Sequence, residues 1–388
     1  MKNYKILTLG ASGSGKTVFL ASMFKALSTQ REEHSFYLEV EDWARKLLNA
    51  IYAQISTGDT WPQGTKYSEV SEWTYTCRVK TPTGNYTACQ FTYFDYAGGR
   101  VTDMNEEDAE FQDLVKQADT ILGLLDGRKI LAWMNGGNDL VIASFLKEDL
   151  ASILRRMHGC NVPIHFVISK WDLLENKFSL EQVRDRLLTI PEFEQVVRSR
   201  NSVDSPVRLI PVSSVGAGFA TLEPDGSMKK TAGVVPRPFQ VEVPVACVLP
   251  DALKAKLSEI AKQRKQLEKQ DIGQGNIFLS SIEIISQIFV DRAWDFALDQ
   301  LFGGLSQDFH FSKLILNNLD NFFFLKHRKE KFDKLEKLQL ERDASLKQVK
   351  DKETSLNHAI WSFFYIKQKL EKDFPESNLF LLKTKAQS

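Results

Sequence analysis

At 388 residues, with 43% apolar and 26% charged side chains, the chain has enough material for two or three domains and the balance of a globular protein. Lys plus Arg and Asp plus Glu both number 50, so no net field attracts nucleic acid or an anionic membrane, and no nucleic-acid partner is expected. Cys77, Cys89, Cys160 and Cys247 lack metal-like spacing and read as buried free thiols of a reducing, cytoplasmic setting; no apolar run reaches the ~18 residues of a transmembrane span.

Met1–Asn3 runs straight into a β-prone stretch, Tyr4–Leu9, so no signal peptide is expected. Phe19, Leu20, Met23, Phe24 and Leu27 then repeat at helical spacing. Between strand and helix, Gly10–Thr17 fits G-x-x-x-x-G-K-[ST] without a mismatch. In such a loop glycines let successive N–H groups turn inward as an anion nest at a helix N-terminus. Gly10, Ser12, Gly13, Ser14, Gly15, Lys16, Thr17 and Val18 are therefore the expected phosphate-binding residues. Lys16 would reach the β- and γ-phosphates and the Thr17 hydroxyl would ligate Mg²⁺.

Farther along, Glu41–Ile55 reads as an amphipathic helix with Trp43, Leu47, Leu48, Ile51 and Ile55 on its apolar face. Ser56–Lys66 is turn-rich, and strands at 73–79 and 86–94 form an antiparallel hairpin around Pro82–Asn85. Thr120–Leu125, Pro163–Ile168 and Val207–Val212 are short apolar strands, separated by helices near Glu106–Gln117, Leu140–Met157 and Leu180–Arg198. This alternation predicts an α/β fold, a mostly parallel sheet with one antiparallel hairpin and helices on both faces. Residues 216–238 read as a loop and Phe239–Leu249 as an extended segment broken by Pro244. From Asp251 the chain reads as helical, with breaks near 273–275 and 303–304. The expected division is a domain at 1–250 and a helical module at 251–388. Leu253, Leu257, Ile260 and Leu267 form a short heptad-like seam. Leu335, Val349, Leu356, Phe363 and Leu370 share a seven-residue register whose companion positions are patchy. An antiparallel helical hairpin fits that better than a continuous coiled coil.

The strands carry the remaining chemistry. Gln90–Asp95 ends in a carboxylate, and Asp95-Tyr96-Ala97-Gly98 is a D-x-x-G in which Asp95 suits Mg²⁺ and the Gly98 N–H suits a γ-phosphate. Ser169-Lys170-Trp171-Asp172 follows the strand at 163–168. Asp172 can accept hydrogen bonds from the ring N–H and exocyclic amine of guanine, and the Lys170 stem can cover the base. Ser213-Ser214-Val215 follows the next strand and resembles a degenerate form of the S-A-K loop of GTPases, a resemblance that implies a backbone N–H to the guanine O6. Trp61–Thr65 resembles the switch I segment of GTPases, which implies a threonine facing Mg²⁺ and the γ-phosphate, Thr65 in preference to Thr60.

In this order the motifs resemble those of P-loop GTPases of the translation-factor-related, Ras-like class. The W-P-x-G-T segment, the extra helix before it and Asp95–Gly99 are similar to the bacterial double-GTPase branch. The resemblance ends near residue 250. It implies GTP/GDP and Mg²⁺ as ligands, with Lys16, Thr65 and Gly98 in catalysis and Thr17, Thr65 and Asp95 on the metal. Ser169 departs from the family's Asn or Thr. Gly99 stands where many members carry the glutamine that orients water, which implies slow or partner-stimulated turnover. Arg100 is either an internal source of positive charge or a solvated switch residue.

The expected function is a GTPase whose switches, 58–67 and 95–108, relay the γ-phosphate to helices that bind a protein partner. The alternatives are a GTP-binding scaffold without useful hydrolysis and an ATP-dependent mechanochemical protein. The acidic run Asp103–Asp113 is a solvated helix face or a surface for a basic partner. Phe322–Lys329 reads as the buried start of a helix and its solvated continuation, with peripheral membrane contact as the other reading, and Ile277–Val290 as a core helix. Oligomerisation is open.

Overall fold

In the computed structural model, residues 3–64, 70–102, 109–137, 139–255 and 330–379 are described. Their strands form a seven-stranded sheet around β1 (Asn3–Gly10). On one side β1 pairs in parallel with β5 (Thr120–Asp126), which continues in parallel to β6 (Ile164–Ser169) and β7 (Val207–Pro211). On the other it pairs in parallel with β4 (Gly84–Tyr96), whose hairpin partner β3 (Val70–Thr81) is antiparallel to it; the edge strand β2 (Tyr37–Glu39) pairs antiparallel with β3 and so runs in the direction of the rest of the sheet. Over Trp73–Val79, β3 alternates fully buried and partly exposed residues, whereas β5 is buried throughout. A hairpin arm and a central parallel strand covered on both faces require those patterns.

Helices cover both faces, as expected. One face packs against α1 (Lys16–Leu27), through Phe19, Leu20 and Met23, and α2 (Asp42–Thr57), through Leu48 and Ile55. The expected apolar face of α2 is rotated, since Ala44, Leu48 and Ile55 are buried while Trp43 and Leu47 are 56% and 45% exposed. The other face carries α3 (Gly98–Thr102), α4 (Ala109–Gln117), α5 (Gly127–Met134) and α6 (Asp139–Ala143). A π-helical turn (Ser144–Leu150) joins α6 to α7 (Ala151–Met157), and α8 (Leu180–Leu188) and α9 (Pro191–Ser202) complete that layer. The single helix expected over 180–198 is two, because Pro191 lacks the N–H a continuing helix needs and instead opens α9.

Two further corrections lie downstream. The expected loop at 216–238 contains a small hairpin, β8 (Ala220–Leu222) with β9 (Met228–Lys230), turning at Asp225–Gly226. The expected extended stretch 239–249 is helical from 243 on, and residues 243–255 form α10; Pro244 sits in its first turn, where a missing N–H costs nothing. The helical hairpin is present as α11 (Glu330–Gln348) and α12 (Lys352–Asp373), with Asp351 capping α12 through Thr354 N at 2.8 Å. α12 is buried on almost every side between α11 and the sheet, where Phe363 meets Phe36 and Phe91 edge-on at 5.0 and 5.7 Å. It is a core helix rather than a coiled-coil strand. No helix of the described residues is long and apolar enough to cross a membrane.

Thr65, residues 103–108, the seam at 257–267, the breaks at 273–275 and 303–304, Ile277–Val290 and Phe322–Lys329 lie outside the described residues.

Candidate nucleotide-binding site

The C-terminal ends of β1, β4, β5 and β6 lie side by side, bringing Gly10, Asp95, Asp126 and Ser169 to one edge of the sheet. Parallel sheets bind ligands at this edge, where helix N-termini and strand ends converge. The Gly10–Thr17 loop leaves β1 through Gly13 (φ 76°) and Gly15 (φ 94°), a left-handed backbone that glycine adopts without a Cβ penalty. A Cβ added at either would meet nothing within 4 Å, so it is the backbone angle and not crowding that calls for glycine at these two positions. α1 then starts without a side-chain cap, which leaves its first N–H groups to whatever enters the loop.

Lys16 is 8% exposed and its ammonium donates to Gly10 O at 2.7 Å. Burial lowers its pKa, and the Asp95 carboxylate opposes that shift. Asp95 is 1% exposed, next to Thr8 in the β1–β4 register. The Ser14 hydroxyl is buried and unbonded within the protein. Ser12 is exposed, and Thr17 and Val18 are half-buried at the start of α1. A buried cation, an unbonded hydroxyl and an uncapped helix start suit a polyphosphate, and a hydroxyl at 17 with a carboxylate at 95 suits a hard divalent cation.

Gly98 lies directly against this loop. A Cβ there would fall 2.5 Å from Ser12 N and 2.7 Å from Ala11 C, so only glycine permits the approach. Arg100, two residues on, pairs with Glu110 at 2.9 Å and lies 4.7 Å from the Tyr96 ring centroid. Arg156 of α7 donates to Arg100 O at 2.7 Å and Val101 O at 3.2 Å, holding the end of α3.

The second half of the site is built from the ends of β6 and β7. Lys170 has φ 53°, and its ammonium donates to Gly13 O at 2.9 Å and Asp126 Oδ1 at 2.8 Å. The Ser169 hydroxyl bonds Ser14 O at 2.7 Å and Leu125 O at 3.1 Å, so the shorter residue at this position still ties the phosphate loop to β5. Asp172 Oδ1 accepts from the Ser213 hydroxyl at 2.5 Å, and Ser213 Oγ accepts from Gly216 N at 2.8 Å. Burial raises the Asp172 pKa, and the Ser213 hydrogen bond acts against it. Ser214 is half-buried, and Val215 O accepts from Arg237 N at 2.7 Å. Phosphate loop, D-x-x-G, Lys170-x-Asp172 and Ser213–Val215 thus meet at one edge.

One participant escaped the motif reading. Asp126 both holds Lys170 and caps α5 through Arg128 N at 3.0 Å. Its signal was present: Thr120–Asp126 is an apolar strand ending in a carboxylate, as Gln90–Asp95 is.

Fold and site define a P-loop domain of the GTPase type. Residues 7–135, a third of the chain, match the family model described as Double-GTPase 1, a GTPase family. The match spans the phosphate loop, Asp95–Gly98 and Asp126; the Lys170–Asp172 and Ser213–Val215 loops lie beyond it. No curated protein matches the chain.

Proposed function

We propose that the protein is a Mg²⁺-dependent GTP-binding protein that hydrolyses GTP to GDP and phosphate, and acts as a nucleotide-dependent switch on a helical, partner-binding module. The observation that carries the guanine reading is the Lys170 bridge from Gly13 O to Asp126, with Asp172 held two residues on by Ser213. The Lys170 stem offers an apolar wall to a base, and Asp172 offers an acceptor at its edge. Guanine presents the matching pair of N–H donors there and adenine does not.

In the proposed reaction water attacks the γ-phosphorus in line as its bond to the β,γ-bridging oxygen breaks, and that oxygen leaves with GDP. Lys16 and the N–H groups of Gly13–Thr17 stabilise charge on the phosphoryl oxygens, and the Gly98 N–H senses the γ-phosphate. Thr17, Thr65 and Asp95 are the residues for Mg²⁺, which when bound neutralises phosphate charge. Gly99 has no side chain to orient water, and Arg100 would have to leave Glu110 to reach the phosphates. Turnover is therefore slow or partner-stimulated. We assign 1–250 to the nucleotide domain and 251–388 to the partner-binding module in the cytoplasm, noting that α12 shares a core with the sheet.

Gly99 and the Arg100–Glu110 pair favour a second reading, a scaffold that holds GTP without useful turnover. Steady-state GTP cleavage beside γ-phosphate-dependent protease protection separates the two. The guanine assignment is tested by GTP and ATP affinities. GTP should bind at least about 100-fold more tightly, and Asp172→Asn should shift preference to xanthosine nucleotides. Equal ATP and GTP binding would sink it.

A further inference from the structure

Lys230, at the end of β9, donates to three main-chain carbonyls, Gln54 O at 2.6 Å, Gly58 O at 2.7 Å and Thr60 O at 3.0 Å. The first two belong to the C-terminal turn of α2, where a cation complements the helix dipole; Gln54 O also accepts from Gly58 N at 3.1 Å, so Lys230 adds a second donor to that carbonyl. The third leads into Trp61, whose Nε1 donates to Met228 O at 2.6 Å. The Trp61 ring meets Phe219 edge-on at 6.1 Å and lies 5.0 Å from the Lys230 ammonium. Residues 58–61, the first part of the expected switch at 58–67, are thus bound to the β8–β9 hairpin.

The hairpin is in turn rooted in the base-recognition end of the site. Ser213, which holds Asp172, exchanges two backbone hydrogen bonds with Phe239. At the turn, Gly226 O accepts from Arg128 Nη1 at 2.5 Å, and Arg128 N is capped by Asp126, the partner of Lys170. One hairpin therefore joins the groups assigned to the base to residues 58–61, which begin the expected switch I.

We propose that Lys230 is a positioning residue that pins Gly58–Trp61 to this hairpin and so favours binding of the nucleoside triphosphate over the diphosphate. The inference rests on the guanine-nucleotide reading above. Ordering a segment around a γ-phosphate costs the freedom that segment had beforehand. Residues pinned in advance remove part of that cost, and their release reappears as lost affinity for the ligand that needs them. A diphosphate has no γ-phosphate for the segment to meet, so its binding should be indifferent to Lys230.

The test is titration of the full-length protein with fluorescent GDP and a slowly hydrolysed GTP analogue, both with Mg²⁺. Lys230→Met should weaken the triphosphate analogue by about tenfold and GDP by less than about twofold, and Lys230→Arg should recover most of the difference. Equal loss for both ligands, or none, overturns the proposal. Wild-type protein that binds neither ligand overturns the guanine reading itself, a distinct result. Should Lys230→Met fail to fold, Trp61→Phe keeps an aromatic ring in place while removing the Nε1 donor and the five-membered ring of the indole. It should lower the same ratio about threefold, and an unchanged ratio overturns the proposal.

Discussion

Two buried clusters of charge lie at opposite ends of the same parallel strands, and they are built differently. Near the starts of β6 and β7, His165 and Arg208 sit side by side and both bond Asp251 of α10, with Arg208 Nη2 2.6 Å from Asp251 Oδ1. Arg208 Nη1 also reaches Glu371 of α12 at 3.0 Å, and Lys367 bonds Glu371 at 3.1 Å. Burial alone would raise both carboxyl groups. Arg208 overrides it at Asp251, and Lys367 with Arg208 holds Glu371 down at about 2. At the other end, Lys16 is buried against a main-chain carbonyl, Ser14 keeps an unbonded hydroxyl, and the helix that follows has no side-chain cap on its first N–H groups. A cluster that pairs its charges internally joins elements of the fold; one that leaves polar capacity at an uncapped helix start is shaped for a ligand.

The contrast is most sharply broken by substituting one member of the closed cluster. Asp251→Asn leaves Arg208 buried without its main counter-charge, and should cost about 3–5 kcal/mol of stability. Nucleotide affinity of the protein that remains folded should be unchanged. Thermal unfolding checks the first expectation and calorimetric titration the second; a stable Asp251→Asn protein with impaired binding would erase the distinction between the clusters.

Lys16→Ala makes the complementary test. It removes an ammonium whose burial is unfavourable in the empty loop, so the melting temperature should hold or rise. Triphosphate affinity should fall by about 100-fold, the value of strong charge-assisted hydrogen bonds in a desolvated site. A large loss of stability without ligand would place Lys16 among the structural charges.

The open site was more legible in the sequence than the closed cluster, for a physical reason. Phosphate binding needs a local constellation, glycines, lysine and hydroxyl within Gly10–Thr17, and local constellations survive as strings. The parallel sheet was legible too, because buried strands are short apolar runs such as Ile121–Leu125 separated by helices. The ion cluster draws residues from positions 165, 208, 251, 367 and 371, and no spacing announces such a meeting. The Lys230 contacts were hidden in the same way, since they join α2 to a hairpin about 170 residues later. Elsewhere a local signal is compatible with more than one structure. Pro244, a strand breaker in an extended segment, opens a helix instead, and Trp43 and Leu47 lie exposed on the apolar face of α2, since periodicity identifies such a face without saying what covers it.

Asp126 lies between the two kinds of cluster and sharpens the comparison most finely. Its carboxylate is buried like Asp251, yet it serves a loop at the site: Oδ1 caps α5 and receives the ammonium of Lys170, which is 23% exposed. Asp126→Asn preserves an oxygen for the cap and removes the charge. Because solvent screens the Lys170 end, the loss should be about 1 kcal/mol, roughly fivefold in affinity, and should fall equally on GTP and GDP, which share the base. Stability should move by less than about 0.5 kcal/mol, since the cap persists. Equal weakening of both nucleotides with an unchanged melting temperature would assign Asp126 to base recognition; a fall confined to GTP would instead tie it to the hairpin and residues 58–61 through Arg128.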